Sequence, residues 1–473
     1  MAREDTEEKH MQKRILALLL VLALGCSLLA TAAFAEEDTE TAAPVEETRE
    51  DGESPGEEAL PSLTETSGAQ QSAPAAGLED GTTVGAENPE LTVPQPDKVG
   101  QLSFANLETR VRENNLTIQM LEASIASIDA KDFDKMQEDL RKRLNNIAKL
   151  QYLVLTTPPE YTDAILGEIG MEGATYSSLQ ASYDALKDTF DDLKDGKIQA
   201  DAAAAIRQLE NAQDQLVMGA ETLYVSLLEL DAKRESVQRT VTALSRTVTE
   251  MELRYSMGQI SALQLQQVKS GRTQAQSGLE TLKMNLDNYT AQLESMVGAE
   301  IAGELTLSAQ PAVPEKKIAA MDYEKDLAAS KENSYDLFAA QRDLEDAKEA
   351  YRDACKEYYS GSYNRKSAEH TWEAAQYTYQ VAVQSHELKF RTVFNAVADC
   401  RQALRAAETA LALQQDTYKS MELKYQQGTI SKNALLDAKD DLDDAQYTAD
   451  AAERNLFTAW RNYQWAVEKG ILN

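Results

Sequence analysis

Residues 251–261 read Met251-Glu-Leu-Arg-Tyr-Ser-Met-Gly-Gln-Ile-Ser261, and 170 positions later the chain reads Met421-Glu-Leu-Lys-Tyr-Gln-Gln-Gly-Thr-Ile-Ser431. Seven of the eleven positions are identical, and Arg254 against Lys424 keeps the charge. The same offset pairs Ala275-Gln276 with Ala445-Gln446, Asn285-Leu286 with Asn455-Leu456, and Val297 with Val467. A register held over about fifty residues marks a tandem duplication, which has to be settled before the fold is argued.

Each copy reads as the turn between two helices. Gly258 and Gly428 supply the left-handed residue that ends a helix without a Cβ penalty. Ser261 and Ser431 are N-caps for the next helix, and Gln264 completes a capping box in the first copy only. Ile260 with Leu265, and Ile430 with Leu435, have hydrophobic-staple spacing.

Working outward, apolar residues fall on alternating steps of three and four. Before the first turn these are Leu227, Leu230, Val237, Val241, Leu244, Val248, Met251 and Tyr255, with Arg234 the one polar position. After it come Leu265, Val268, Ala275, Leu279, Leu282, Leu286, Tyr289, Leu293 and Met296 around Arg272. Such a pattern makes antiparallel helices wind around each other. The last helix has a lighter seam, Leu435, Ala438, Leu442, Ala445, Ala449, Ala452, Leu456, Ala459, Tyr463 and Ala466, which predicts close packing on more than one neighbour. The expected fold is all-α: two tandem repeats of long antiparallel coiled-coil hairpins. An incoming helix of about 55 residues is about 80 Å long.

The chain carries a net charge of −32, but residues 36–100 hold 17 acidic residues against Arg49 and Lys98, so −15 of it resides there. That stretch also holds seven of the eleven prolines and reads as an acidic disordered linker. Before it, Lys13-Arg14, the apolar run Ile15–Leu29 and Ala33-Phe34-Ala35 read as a signal peptide over 1–35, cleaved before Glu36. Two other readings stay open: an uncleaved anchor over Ile15–Ala35, and lipidation at Cys26. All three export the chain. The absence of a basic patch argues against nucleic acid as a partner.

No chemical constellation stands out. Cys400 takes the register place of Leu230 and reads as a core residue, with Cys355 a conceivable disulfide partner. His10, His370 and His386 lack metal-ligand spacing, and the paired carboxylates are those of a solvated helix face. No catalytic residue, cofactor or metal site is expected.

The layout resembles the TolC-like outer-membrane efflux proteins. Each of that family's two repeats has an opening similar to Leu102-Ser-Phe-Ala-Asn-Leu-Glu-Thr-Arg-Val-Arg-Glu-Asn-Asn-Leu116, answered here by Tyr323-Glu-Lys-Asp-Leu-Ala-Ala-Ser-Lys-Glu-Asn-Ser-Tyr335, and a tip of the form R/K-Y-x-x-G-x-I/L-S. By this resemblance, 101–300 is repeat 1, 301–319 a connector and 320–473 repeat 2. The resemblance implies a homotrimer forming a helical conduit in the cell envelope. It also implies a membrane-fusion adaptor and an ABC or proton-driven pump as partners. Carried over residue by residue, Arg254, Tyr255, Gly258, Ser261, Lys424, Tyr425, Gly428 and Ser431 are the adaptor-docking tips. Both tyrosines also sit on the coiled-coil seam, and packing there is the preferred role for Tyr255 and Tyr425.

One departure is physical. The family inserts two membrane-spanning strands into each repeat, and each such strand needs roughly 9–11 alternating residues. Glu357-Tyr-Tyr-Ser-Gly-Ser-Tyr-Asn364 is too short to hold them, and the insert around Leu153–Pro159 and Asp163–Lys197 reads as a loop plus helices. Three functions remain, in order of preference: an export component, a non-conducting structural coiled coil of the envelope, and an extracytoplasmic enzyme.

Overall fold

Helices build almost everything in the computed structural model, which describes residues 97–472 apart from 99, 159–160, 162–166, 169–174 and 304. The signal peptide, its cleavage site and nearly all of the acidic linker lie outside the described residues. All of the described residues belong to one compact unit, Pro94–Asn473.

Repeat 1 opens with a two-residue strand β1 (Gln101–Leu102), then α1 (Phe104–Asn114), α2 (Leu116–Asp129), α3 (Phe133–Thr156), α4 (Tyr176–Lys194), α5 (Lys197–Ser256) and α6 (Ala262–Met296). A segment with β2 (Thr306–Leu307) and the short α7 (Glu315–Ala319) leads to repeat 2. There α8 (Tyr323–Asn333), α9 (Tyr335–Glu357), α10 (Tyr363–Gln426) and α11 (Lys432–Glu468) complete the chain. The order is the expected one, all-α and twofold repeated, with two coiled-coil hairpins, α5/α6 and α10/α11. At 64 residues, α10 is about 96 Å long. Repeat 1 divides the corresponding stretch at Gly196, which takes a φ of +81°, whereas its counterpart Lys366 lets α10 run on unbroken.

Both hairpins use the expected seams. In α6, Leu265, Val268, Arg272, Ala275, Leu279, Leu282, Leu286, Tyr289 and Leu293 are at least half-buried while most intervening residues are exposed. In α10, Val397, Cys400, Leu404, Ala407, Leu411, Gln414, Tyr418 and Met421 repeat the pattern in the +170 register. Cys400 is thus a seam residue, and both described cysteines are free thiols. The small residues of α11 let it pack against α10 and also against α5. That second junction is polar: Glu221 of α5 accepts from Arg461 through both carboxylate oxygens and from Trp465 Nε1 at 2.8 Å. Nearer the tips Arg246 of α5 pairs with Asp440 and Asp437 of α11.

The densest burial lies at the base, away from the tips. One apolar cluster gathers Leu107, Val111, Ile118, Tyr224, Leu293 and Val297, and a second gathers Phe390, Val397, Trp460, Tyr463 and Ala466. Here each repeat breaks its opening helix and seats a hairpin end against the break. Asn115 caps α2, accepting from Thr117 and Ile118, while its amide donates to Met296 O at 3.0 Å. In repeat 2 Ser334 caps α9 and Asn333 donates to Val467 O at 3.0 Å. Gly298 and Gly470 make the approach possible, with φ values of +66° and +65°. The parallel β1–β2 pair adds a tie that sequence reading did not anticipate, and Tyr224 OH donates to Leu102 O and Ser308 O across it.

Among the described residues these two short strands are the only ones. At 358–362 a turn joins α9 to α10 directly, as the short sequence requires. The corresponding turn of repeat 1 lies largely outside the described residues, between helices α3 and α4. No described helix is long and apolar enough to cross a membrane.

Candidate functional site: the two hairpin tips

Each tip is a helix end of fixed geometry. Gly258 and Gly428 take φ values of +72° and +71°. The Gly258 N–H donates to Tyr255 O and the Gln259 N–H to Arg254 O, both at 2.9 Å. Gly428 to Tyr425 O and Thr429 to Lys424 O repeat the two bonds at 2.9 Å. This 5→2 and 6→1 pair is the Schellman motif, and it satisfies carbonyls that a helix end otherwise leaves orphaned. Four of the eight expected tip residues therefore contribute through their backbone oxygens: Arg254, Tyr255, Lys424 and Tyr425.

The next helix starts on the expected serines. Ser261 Oγ accepts from Gln264 N, and Gln264 Oε1 accepts from Ser261 N at 2.9 Å, a capping box. Ser431 Oγ accepts from Ala434 N at 3.2 Å without the reciprocal bond. Ile260, Leu265, Ile430 and Leu435 are half-buried inside the turns.

Tyr255 and Tyr425 do not pack on the seam in the single chain: they are 46% and 39% exposed. The reason is geometric. Met251 and Met421 are the last half-buried seam positions, and one turn later the paired helices must part to admit the linking loop. Around the tyrosines Leu253, Met257, Leu263 and Leu423 are exposed as well. Reading the seam alone missed these residues. The repeated Leu at the third position of both motifs, off the seam, was the signal available.

Charges fix how the tips stand. Arg254 pairs with Glu250, whose other oxygen accepts from Asn433 Nδ2 at 3.3 Å, so tip 1 is tied to the start of α11 in tip 2. Lys269 bridges the first hairpin to Glu252 at 2.8 Å and holds that carboxyl below its ordinary pKa by this hydrogen bond. The eight residues thus stand at two adjacent loop ends, each presenting apolar side chains ringed by charge. Nothing in the arrangement provides a nucleophile beside a base, and no described group of acidic, His or Cys side chains could hold a metal ion.

No family model matches the chain, and no curated protein matches it. Among solved structures it is similar to outer-membrane channels. The OprN channel is 11% identical with a TM-score of 0.49, covering 77% of this chain and 89% of that one. The Campylobacter jejuni CmeC channel is 12% identical with a TM-score of 0.42, covering 61% of this chain and 68% of that one. VceC of Vibrio cholerae, an outer membrane protein, is 14% identical with a TM-score of 0.41, covering 77% of this chain and 95% of that one.

Proposed function

We propose that this chain is the conduit or adaptor-docking component of an export system in the cell envelope, assembled as a closed ring of three copies. The observation that carries the ring is an inequality between equivalent helices. In α5, Met218 is only 6% exposed at the base, where α5 lies among its neighbours in the same chain. Its counterpart in α10, Leu388, is 68% exposed. Leu413, the counterpart of half-buried Ala243, is likewise bare. On the other side, Met284 of α6 is 58% exposed where its counterpart in α11, Arg454, is 8% exposed.

The bare face of α10 and the bare face of α6 therefore correspond to two faces that meet inside the chain. A second copy placing its α6 on this α10 repeats the internal junction, and a head-to-tail contact of this kind either closes a ring or runs on as a fibre. Closure at three is the number the TolC-like resemblance supplies. The tips then gather at one end of the ring, where their exposed leucines and tyrosines suit an apolar partner such as a fusion adaptor. The strand-free turn at 358–362 supports a variant of this reading, a non-conducting rod of the envelope.

The experiment is a cross-link across the missing junction. Asp416 and Ser270 correspond to the paired Arg246 and Asp440, so cysteines at both would face each other across neighbouring copies, within reach of a short bis-maleimide cross-linker. In a background lacking Cys355 and Cys400, the cross-linker should give a ladder ending at three copies. Monomer alone, or a ladder without end, overturns the ring. Single-channel recording on the cross-linked trimer separates a conduit from a rod.

A further inference from the structure

The base joint is built twice, from different chemistry. In repeat 2, Ser330 of α8 is fully buried and His386 of α10 is 6% exposed, with Oγ and Nε2 2.9 Å apart. The offsets relating the repeats, 219 for the openings and 170 for the hairpins, put Val111 and Leu216 in these places. Both belong to the apolar cluster of repeat 1. One joint is therefore hydrocarbon, and the other is a hydroxyl against an imidazole.

The polar joint is closed tightly. A Cβ on Gly470 would lie 2.7 Å from Ser330 O and 2.4 Å from Ser334 N, so the end of α11 presses its backbone on α8. The charged groups facing the imidazole are Lys331 of α8, Asp336 of α9, and Glu387 and Lys389 of α10. Lys331 and Lys389 oppose a positive imidazole, while Asp336 and Glu387 favour one, and Glu387 is engaged by Lys331 at 2.5 Å. Burial is the largest influence and holds the imidazole pKa below its ordinary value.

We propose that the Ser330–His386 contact is an acid-sensitive joint: protonation of His386 releases α8 from α10 at the base of repeat 2 while repeat 1 stays closed. The hydrogen bond itself survives, because the Ser330 hydroxyl can turn to accept. What fails is the desolvated environment, which offers a cation one hydroxyl in place of water. A group that binds its proton less readily when folded leaves stability intact above the unfolded pKa near 6.5, and stability falls as pH drops below that value.

The test is amide hydrogen exchange on the full chain at pH 7.5 and 5.0, corrected for intrinsic rates. Protection in α8 should fall by up to about 30-fold, the limit for a group titrating near 6.5 only in the open state. Protection in α1 should change by less than about threefold. H386Q keeps a neutral hydrogen-bonding side chain, and the pair S330V with H386L restores the chemistry of repeat 1; either should abolish the acid response of α8. An unchanged α8 in the wild type, or an equal loss in both variants, overturns the proposal.

Discussion

Gly470→Ala should destabilise this protein far more than Gly428→Ala, although the two glycines share a backbone conformation, φ +65° and +71°. The shared part is the cost of a left-handed residue bearing a Cβ, about 1–2 kcal/mol. At Gly428 nothing lies within 4 Å of the added carbon, so the cost ends there. At Gly470 the carbon meets Ser334 Cα and N at 2.4 Å, both backbone atoms that cannot swing aside. Forced overpacking costs about 1–3 kcal/mol more. Backing the helix end away also strains the Asn333 bond to Val467 O, worth about 1 kcal/mol. Gly470→Ala should therefore cost about 3–6 kcal/mol against about 1–2 for Gly428→Ala. Urea unfolding followed by circular dichroism gives the comparison, with the midpoint read against an unchanged slope. Equal midpoints for the two variants would refute the claim that the base joint, rather than the turn conformation, sets the requirement for glycine.

Two further outcomes are expected. Leu253→Asp with Leu423→Asp, both at exposed positions, should shift stability by no more than about 0.5 kcal/mol. If the proposed function holds, the pair should nevertheless abolish capture by a fusion adaptor; retained capture would move the proposed docking away from the tips. Alkali should also loosen the base. Burial pushes the Tyr224 phenol up to about 12, and burial with Asp326 raises Tyr463. A phenol that holds its proton more firmly when folded keeps stability intact below the unfolded pKa near 10 and surrenders it as pH climbs toward 12, about 2–3 kcal/mol for Tyr224 alone. Urea midpoints measured between pH 8 and 11.5 should fall in the wild type and fall less in Tyr224→Phe.

The hairpins were legible because a coiled-coil seam is a one-dimensional signal. Leu279, Leu293, Val241 and Val248 announce their burial by spacing alone, and Gly258 and Gly428 announce the turns by residue type. The base was not legible in that way. Glu221 meets Arg461 and Trp465 across some 240 positions, and Asn115 reaches Met296 across 181, so no local pattern marks them. Gly298 and Gly470 gave no sign of needing bare backbone, because their neighbours Asn114 and Ser334 come from other helices. At the tips, Tyr255 kept the seam phase but lost its partner, since phase says nothing about where paired helices part.

The junction of α5 with α11 has a kinetic side. Those two helices meet without any encounter between molecules, because the stretch from Val297 to Ser362, α8 and α9 included, tethers one hairpin to the other. A covalent tether makes the meeting intramolecular and therefore independent of protein concentration. In the proposed ring, half of the six hairpin junctions are then complete when each chain finishes folding, and only three remain for diffusion. Dilution acts on those three alone. The half-buried Glu221–Arg461 pair stands on the tethered side, so in the proposed ring its desolvation belongs to the folding of one chain rather than to the joining of copies.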